Sequence, residues 1–118
     1  MITEPTPTEI ILHKKSRTLE VKFDSGECFL FSCEYLRVHS PSAEVQGHGI
    51  GNQKLVLDKT QVNILAIDPV GNYAIKPTFS DGHQSGIFSW KTLYNLGIHQ
   101  TSNWNLYLEK VKYAKGNT

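Results

Sequence analysis

A change in hydrophobic spacing along the chain constrains its fold more than any other feature. Between residues 17 and 23 apolar and polar side chains alternate, and this spacing of two predicts a half-buried strand. In the last third the spacing becomes helical, with apolar side chains at Trp104, Tyr107, Leu108 and Val111. Strands first and helices last are typical of the α+β class. We therefore expect a mainly antiparallel sheet, a short central helix and two C-terminal helices packed on one face.

Turn residues divide the first part of the chain into short apolar runs that predict strands. These runs cover residues 9–13, 17–23, 27–31, 54–57, 61–67, 73–79 and 86–88. The turns between them are predicted at 24–26, at 68–72 and at Asp81-Gly82, which is a strong hairpin signal. Pro77 lacks a backbone N–H, so its strand is expected to lie at an edge or to contain a bulge.

Four serines are placed to begin helices, because a serine hydroxyl can accept a hydrogen bond from a first-turn N–H. They are Ser32, Ser40, Ser89 and Ser102, and they precede segments 33–38, 41–45, 90–96 and the C-terminal run. Gly97 is expected to end the third of these helices.

Length and composition indicate one ordinary folded domain in this chain of 118 residues. We expect residues 1–7 to be flexible and 8–116 to form the domain. The formal net charge of +1 argues against a nucleic-acid partner, and no apolar run approaches the roughly 20 residues that span a membrane. Two cysteines and no secretion signal predict a cytoplasmic protein.

The candidate binding residues lie in one polar stretch, residues 35–51, and in the turn that follows Phe79. Exposed polar loops between apolar segments are where binding sites usually occur. The candidates are Arg37, His39, Ser40, Ser42, Glu44, His48, Asp81 and His83. The glycines at 47, 49 and 51 could bind a small anion through their backbone N–H groups, or could simply form an irregular loop.

No enzyme motif is present: the chain lacks G-x-S-x-G, a Walker A sequence and a convincing Ser-His-Asp set. Its five histidines do not show the spacing of a metal-binding motif. A cluster of His39, His48 and His83, with Cys33, stays open as an alternative that would bind zinc or iron.

Seven segments of the chain resemble the gamma-butyrobetaine hydroxylase-like N-terminal domain family, and in particular its stand-alone bacterial members of unknown function. The segments are F-D-S-G-E (23–27), E-Y-L-R-V (34–38), S-P-S-A-E-V-Q-G-H-G (40–49), D-P-V-G-N-Y-A-I-K (68–76), D-G-H-Q-S-G-I-F-S-W (81–90), L-Y-N-L-G (93–97) and W-N-L-Y-L (104–108). The resemblance implies an α+β domain. In large relatives this domain precedes an iron- and 2-oxoglutarate-dependent dioxygenase domain, whose iron-binding triad has no counterpart in this chain.

The resemblance also implies where a structural zinc would bind, through three cysteines and one histidine. Those positions correspond here to Ser40, Ser42, Val45 and His83, so one ligand of four is kept. A structural zinc needs four nitrogen or sulfur ligands, and we therefore expect no zinc and no other cofactor. Ser40 and Ser42 are expected to cap backbone amides instead, with His83 bonded to them.

Other relatives are fused to ATPases of iron–sulfur cluster carriage, which implies an accessory role. The leading hypothesis is a non-catalytic domain that binds a protein partner through the central loop and the turn at 81–86. The alternatives are the metal site described above and a binder of small anions.

Overall fold

The computed structural model describes residues 5–41 and 56–114 and confirms the α+β class. The first half contains strands β1 (Pro7–His13), β2 (Thr18–Phe23) and β3 (Cys28–Ser32), then helix α1 (Cys33–Val38). The second half contains β4 (Ile64–Val70), β5 (Ala74–Phe79) and β6 (Phe88–Ser89), then helices α2 (Trp90–Ile98) and α3 (Gln100–Ala114).

The six strands of the described residues form two antiparallel sheets of three strands each, in the orders β1-β2-β3 and β4-β5-β6. Within each sheet, strands that follow one another in sequence pair with each other. We had expected a single sheet. The alternation of apolar and polar residues shows which side chains of a strand face inward. It does not show which strands pair across a long connection, so it could not reveal that the strands divide into two sheets.

The main apolar core joins the two sheets with α1 and α2, and a smaller cluster of Val38, Val56 and Tyr107 lies against α3. The alternation in β2 is confirmed, because Leu19, Val21 and Phe23 are buried while Lys22 is exposed. Full burial of a large apolar side chain contributes roughly 1.5–3 kcal/mol, so this main core dominates the stability. Its other buried members are Phe31, Cys33, Tyr35, Leu36, Val62, Ile64, Ile75, Phe79, Phe88 and Leu93.

The β4–β5 hairpin differs from the prediction in its limits. Strand β4 begins at Ile64 and continues through Asp68 and Pro69, which we had assigned to a turn. These two residues instead pair with Lys76 and Ile75, and the turn lies at 71–73. Strand pairing thus outweighed the local turn preference. Residues 56–57 are not in a strand, and 54–55 lie outside the described residues.

Pro77 lies in β5, the middle strand of the second sheet, at a position where, among the described residues, only one side of the strand is paired. Strand β6 pairs only with Ala74 and Ile75, so β5 is an edge on that side at Pro77. A register shift between Ile64 and Ala66 of β4 lies nearby. The prediction of an edge strand is therefore wrong for β5 as a whole, although the side of β5 at Pro77 is open, and the irregularity lies in β4 and not in β5.

Two of the predicted serine caps are confirmed and one is wrong. The Ser32 hydroxyl accepts from the Tyr35 amide at 3.0 Å, and the Ser89 hydroxyl accepts from Thr92 at 3.1 Å. Helix α3 begins before Ser102, whose hydroxyl donates to the His99 carbonyl at 3.1 Å inside the first turn. The predicted helix at 41–45 falls largely outside the described residues.

Tyrosine hydroxyls connect the three helices. Tyr35 donates to the Leu96 carbonyl at 2.7 Å and accepts from the Asn103 amide at 3.1 Å. Tyr107 donates to the Val56 carbonyl at 2.6 Å and so ties α3 to the chain before β4. Among the described residues, no helix is both long enough and apolar enough to cross a membrane.

Gly97 lies inside α2 rather than after it, and its role is packing. A Cβ added there would lie 2.5 Å from Cγ and Cδ2 of Phe29 and 2.7 Å from Cδ1. The helix therefore needs glycine to approach β3, and the Phe29 ring is in turn packed against Phe31 and Tyr94.

We expect Gly97→Ala to destabilise the protein by about 1–3 kcal/mol, because the added methyl group overpacks the Phe29 ring. This reverses the gain of roughly 1 kcal/mol that alanine gives over glycine inside an ordinary helix. Urea unfolding monitored by circular dichroism measures the change. Asn95→Ala, at an exposed position of the same helix, is the control and should stabilise slightly. Equal stabilisation by both changes would contradict the packing role.

Candidate functional site

Five side chains from three parts of the chain meet where α1 ends, and we call this group the polar corner. It consists of Arg37, Ser40, Lys59, Asp81 and His83. Arg37, Ser40 and His83 are almost fully buried, with 3%, 0% and 6% of their surface exposed. The side chains of Lys59 and Asp81 are about one quarter and one fifth exposed. Buried polar side chains usually form hydrogen bonds, and the members of this corner bond to one another in two sets, Arg37–Asp81–Lys59 and Ser40–His83.

Local geometry brings these residues together. Arg37 lies in the last turn of α1, five of whose six residues are buried. The chain leaves β5 through a tight turn in which the Gly82 amide donates to the Phe79 carbonyl at 3.0 Å. Gly82 has a φ of +94°, a backbone conformation that strongly favours glycine. This turn places Asp81 and His83 against the end of α1.

Asp81 is the anion at the centre of the polar corner. Its Oδ2 accepts from Arg37 Nε at 2.8 Å and from Lys59 Nζ at 2.7 Å. Its Oδ1 accepts from the His83 backbone amide at 3.1 Å. Burial alone would raise the pKa of Asp81, but the bonds from Lys59, the His83 amide and Arg37 outweigh it and lower the pKa to about 2. Asp81 is therefore ionised throughout the neutral range.

Ser40 and His83 form the second contact of the polar corner. Ser40 Oγ and His83 Nε2 lie 2.9 Å apart, which is the separation of a nucleophile and its general base. The backbone of Gly86 lies over this pair, since a Cβ at that position would be 1.9 Å from Ser40 Oγ. Both side chains are buried in this structure, and their contact connects the end of α1 to the turn after β5.

Two other candidates that the structure describes, His39 and Cys33, lie outside this group. His39 is half-buried, and its Nδ1 and the Tyr35 carbonyl are 2.9 Å apart; its ring centroid lies 4.6 Å from that of Tyr35. Burial is the main cause that lowers the pKa of His39. Cys33 is buried in the core, with Sγ 3.8 Å from the Asn63 amide oxygen, and burial raises its pKa.

The described residues contain no group of three histidine, cysteine, aspartate or glutamate side chains that could hold a metal ion. His39 and Cys33 therefore do not complete a site with His83 there. The remaining candidates lie outside the described residues: Ser42, Glu44, Val45, His48 and the glycines at 47, 49 and 51.

Sequence reasoning missed two members of the site. Lys59 shares an oxygen of Asp81 with Arg37, although it lies 22 positions away in the chain, where spacing carries no signal. Gly86 was assigned to a strand, but it lies in an irregular segment and covers Ser40. Gly86 already belongs to the turn at 81–86 in the leading hypothesis, but its close packing against Ser40 has no local sequence signal.

The fold and the polar corner together define a small α+β domain with two three-stranded sheets and a buried, hydrogen-bonded corner. The chain belongs to the gamma-butyrobetaine hydroxylase-like, N-terminal family, whose model matches residues 10–94. A search of curated proteins finds no match.

Three solved structures are similar to this chain over most of its length. A protein with an NMR solution structure is 52% identical with a TM-score of 0.81, over 98% of this chain and 88% of that chain. A second NMR structure is 42% identical with a TM-score of 0.83, over 96% and 89% of the two chains. A crystal structure from Acidithiobacillus ferrooxidans, of a DUF971 family protein with unknown function, is 35% identical with a TM-score of 0.68. It covers 80% of this chain and 98% of that chain.

Proposed function

We propose that this protein is a non-catalytic interaction domain that binds a protein partner through residues 83–87, which we call the display segment. The observation that carries this proposal is that two buried residues anchor this segment while the other three are exposed. His83 and Gly86 are buried, while Gln84, Ser85 and Ile87 are exposed.

The display segment has no regular secondary structure, yet it is attached at several points. The His83 carbonyl accepts from the Phe79 amide at 2.9 Å, and the His83 side chain contacts Ser40. Beyond Ile87, Phe88 is fully buried in the core. A segment held in this way presents its exposed side chains with little entropy left to lose on binding, which favours recognition.

The chemistry of the exposed side chains fits a protein surface. Gln84 and Ser85 offer hydrogen-bond donors and acceptors, and Ile87, 44% exposed, offers an apolar contact beside them. The partly exposed Lys59 adds a positive charge next to the turn. An apolar residue within polar neighbours resembles the centre and rim of a protein interface.

A catalytic role has less support in the same region. Ser40 and His83 are covered, and the Asp81 carboxylate is bound by two cations and an amide. A covered hydroxyl and a carboxylate that already accepts three hydrogen bonds are less available to an incoming substrate than exposed groups would be. We therefore propose an accessory role in the cytoplasm, connected with iron–sulfur or metalloenzyme handling as the family resemblance implies.

Site-specific photocrosslinking in living cells tests the proposal. A photoreactive amino acid at Gln84 or Ile87 should capture the same partner, which is then identified by mass spectrometry and purified. Ile87→Asp should weaken its binding at least about tenfold, as expected for an apolar contact at an interface centre. Titration calorimetry measures the affinity.

The control uses Leu30, an apolar residue of β3 that is 56% exposed. The same photoreactive residue at position 30 should not capture the partner, and Leu30→Asp should bind it as the wild type does. Equal capture at position 30, or full affinity of the Ile87→Asp variant, would overturn the assignment of the display segment. Circular dichroism must show that both variants are folded.

A further inference from the structure

We infer that the polar corner is held together by its own side chains and excludes a metal ion. The family resemblance implies a structural zinc at this position, with His83 as its surviving ligand. Three properties of the corner disagree with such a site: the separation of the available donors, the charge around them and the space above them.

The donors are too close to be ligands of one ion. Zinc binds a histidine nitrogen at about 2.0–2.1 Å and an oxygen at about 2.0–2.2 Å, so tetrahedral ligands lie roughly 3.4 Å apart. Ser40 Oγ and His83 Nε2 are 2.9 Å apart, which is hydrogen-bond distance. A neutral hydroxyl is also a weak ligand, whereas structural zinc sites use cysteine and histidine. Ser40 and His83 therefore form a hydrogen bond with each other without an ion between them.

The local charge opposes a cation. Arg37 and Lys59 both reach the turn, and each bonds Asp81 Oδ2. Asp81 is the one carboxylate of the polar corner, and its two oxygens are taken by these cations and by the His83 amide. Among the described side chains of the corner, two positive charges stand against one negative charge, so their net charge is positive. In a buried place such charge repels a divalent ion strongly.

The space above the pair is filled. The position of a Cβ on residue 86 would be 1.9 Å from Ser40 Oγ, 3.2 Å from Ser40 Cβ and 3.6 Å from His83 Nε2. The Gly86 backbone therefore occupies the side from which a further ligand would approach. Because residue 86 is glycine, its backbone can lie this close to Ser40. Direct packing therefore fills the space that a bound metal would need.

Metal analysis combined with chelator-dependent unfolding tests the inference. Untagged protein is purified both aerobically and anaerobically, and its zinc and iron are measured by mass spectrometry. Urea unfolding is then followed with EDTA and with added zinc sulfate. We expect less than about 0.1 metal ion per chain and the same unfolding midpoint in both solutions, because no folding energy depends on a metal.

Two variants separate structural loss from metal loss. His83→Ala should lower the unfolding midpoint equally with EDTA and with zinc, and Ser40→Ala should do the same. About one zinc or iron per chain, or a midpoint that falls with EDTA, would overturn the inference. A zinc-dependent midpoint that His83→Ala abolishes would overturn it and assign His83 as a ligand. These outcomes do not depend on partner binding, so this inference and the proposed function can fail separately.

Discussion

Replacing Asp81 by asparagine is expected to cost about 3 kcal/mol of stability and to lower the melting temperature by roughly 10 °C. Asparagine keeps the shape of the side chain but removes its charge. Arg37 would then remain almost fully buried beside Lys59, without the carboxylate that both cations bond. Removing one partner of a buried ion pair costs several kcal/mol, which makes this one of the two largest expected effects.

The same residue produces a defined dependence on acid. The pKa of Asp81 is lowered from 3.8 to about 2 in the folded protein, so its contribution is complete above about pH 4. That contribution decreases as the pH falls from about 4 towards 2, where the folded carboxyl accepts its proton. Asp81→Asn should therefore lose less stability across this range than the wild type. The pKa values of Glu20 and Glu27 are also lowered. These two residues contribute equally to the acid dependence of the wild type and of Asp81→Asn, so the difference between the two proteins reports on Asp81.

Urea unfolding at pH 7 and at steps between pH 4 and pH 2 measures both effects. Asp68→Asn is the matched control, because Asp68 is exposed on β4 and its removal should change stability by no more than about 0.5 kcal/mol. If Asp81→Asn unfolded at the wild-type urea concentration at pH 7, the polar corner would not contribute to stability as described.

Gly86→Ala should cost about 3 kcal/mol, the second of the two largest effects, through overpacking and a broken buried hydrogen bond. The new methyl group would lie 1.9 Å from Ser40 Oγ, and Ser40 is fully buried. Either the hydroxyl must leave His83 or the display segment must move. Ser85→Ala, at an exposed neighbouring position, should be close to neutral.

A double-mutant cycle with Ser40→Ala isolates the cause of that loss. Removing the Ser40 hydroxyl leaves the new methyl group facing Ser40 Cβ at 3.2 Å, a contact that small shifts can relieve. The double variant should therefore lose at least about 1 kcal/mol less than the sum of the two single variants. Simple additivity would show that the effect of Gly86→Ala does not act through Ser40. The free energy of unfolding in urea is measured for the wild type, for each single variant and for the double variant.

Local features of the fold could be predicted because the information lies within a few residues. The alternation in β2, the turn at 24–26 and the Ser32 and Ser89 caps all depend on neighbours in sequence, and all are present. Gly97 shows where this approach stops. Its sequence position is typical of a helix end, but it lies inside α2 because only glycine fits against the Phe29 ring of another element.

Four of the five members of the polar corner, Arg37, Ser40, Asp81 and His83, were named as binding candidates from the sequence. Three of them are buried, and each bonds to another member of the corner: Arg37 to Asp81, and Ser40 to His83. Residue type indicates that a polar side chain needs a partner. It does not indicate whether that partner is water, a ligand or a residue elsewhere in the chain.

The sequence by itself determined the α+β class, most strand and helix positions and the family, because spacing, caps and turn residues act over a few positions. The family resemblance already implied the contact of Ser40 with His83, 43 residues away, and the structure confirms it. Tertiary structure alone decided that Arg37 meets Asp81, 44 residues away. It also decided that Lys59 joins them and that Gly86 covers the Ser40–His83 pair. Such contacts depend on how the elements pack, and packing is settled by the shape of the whole core rather than by any local pattern.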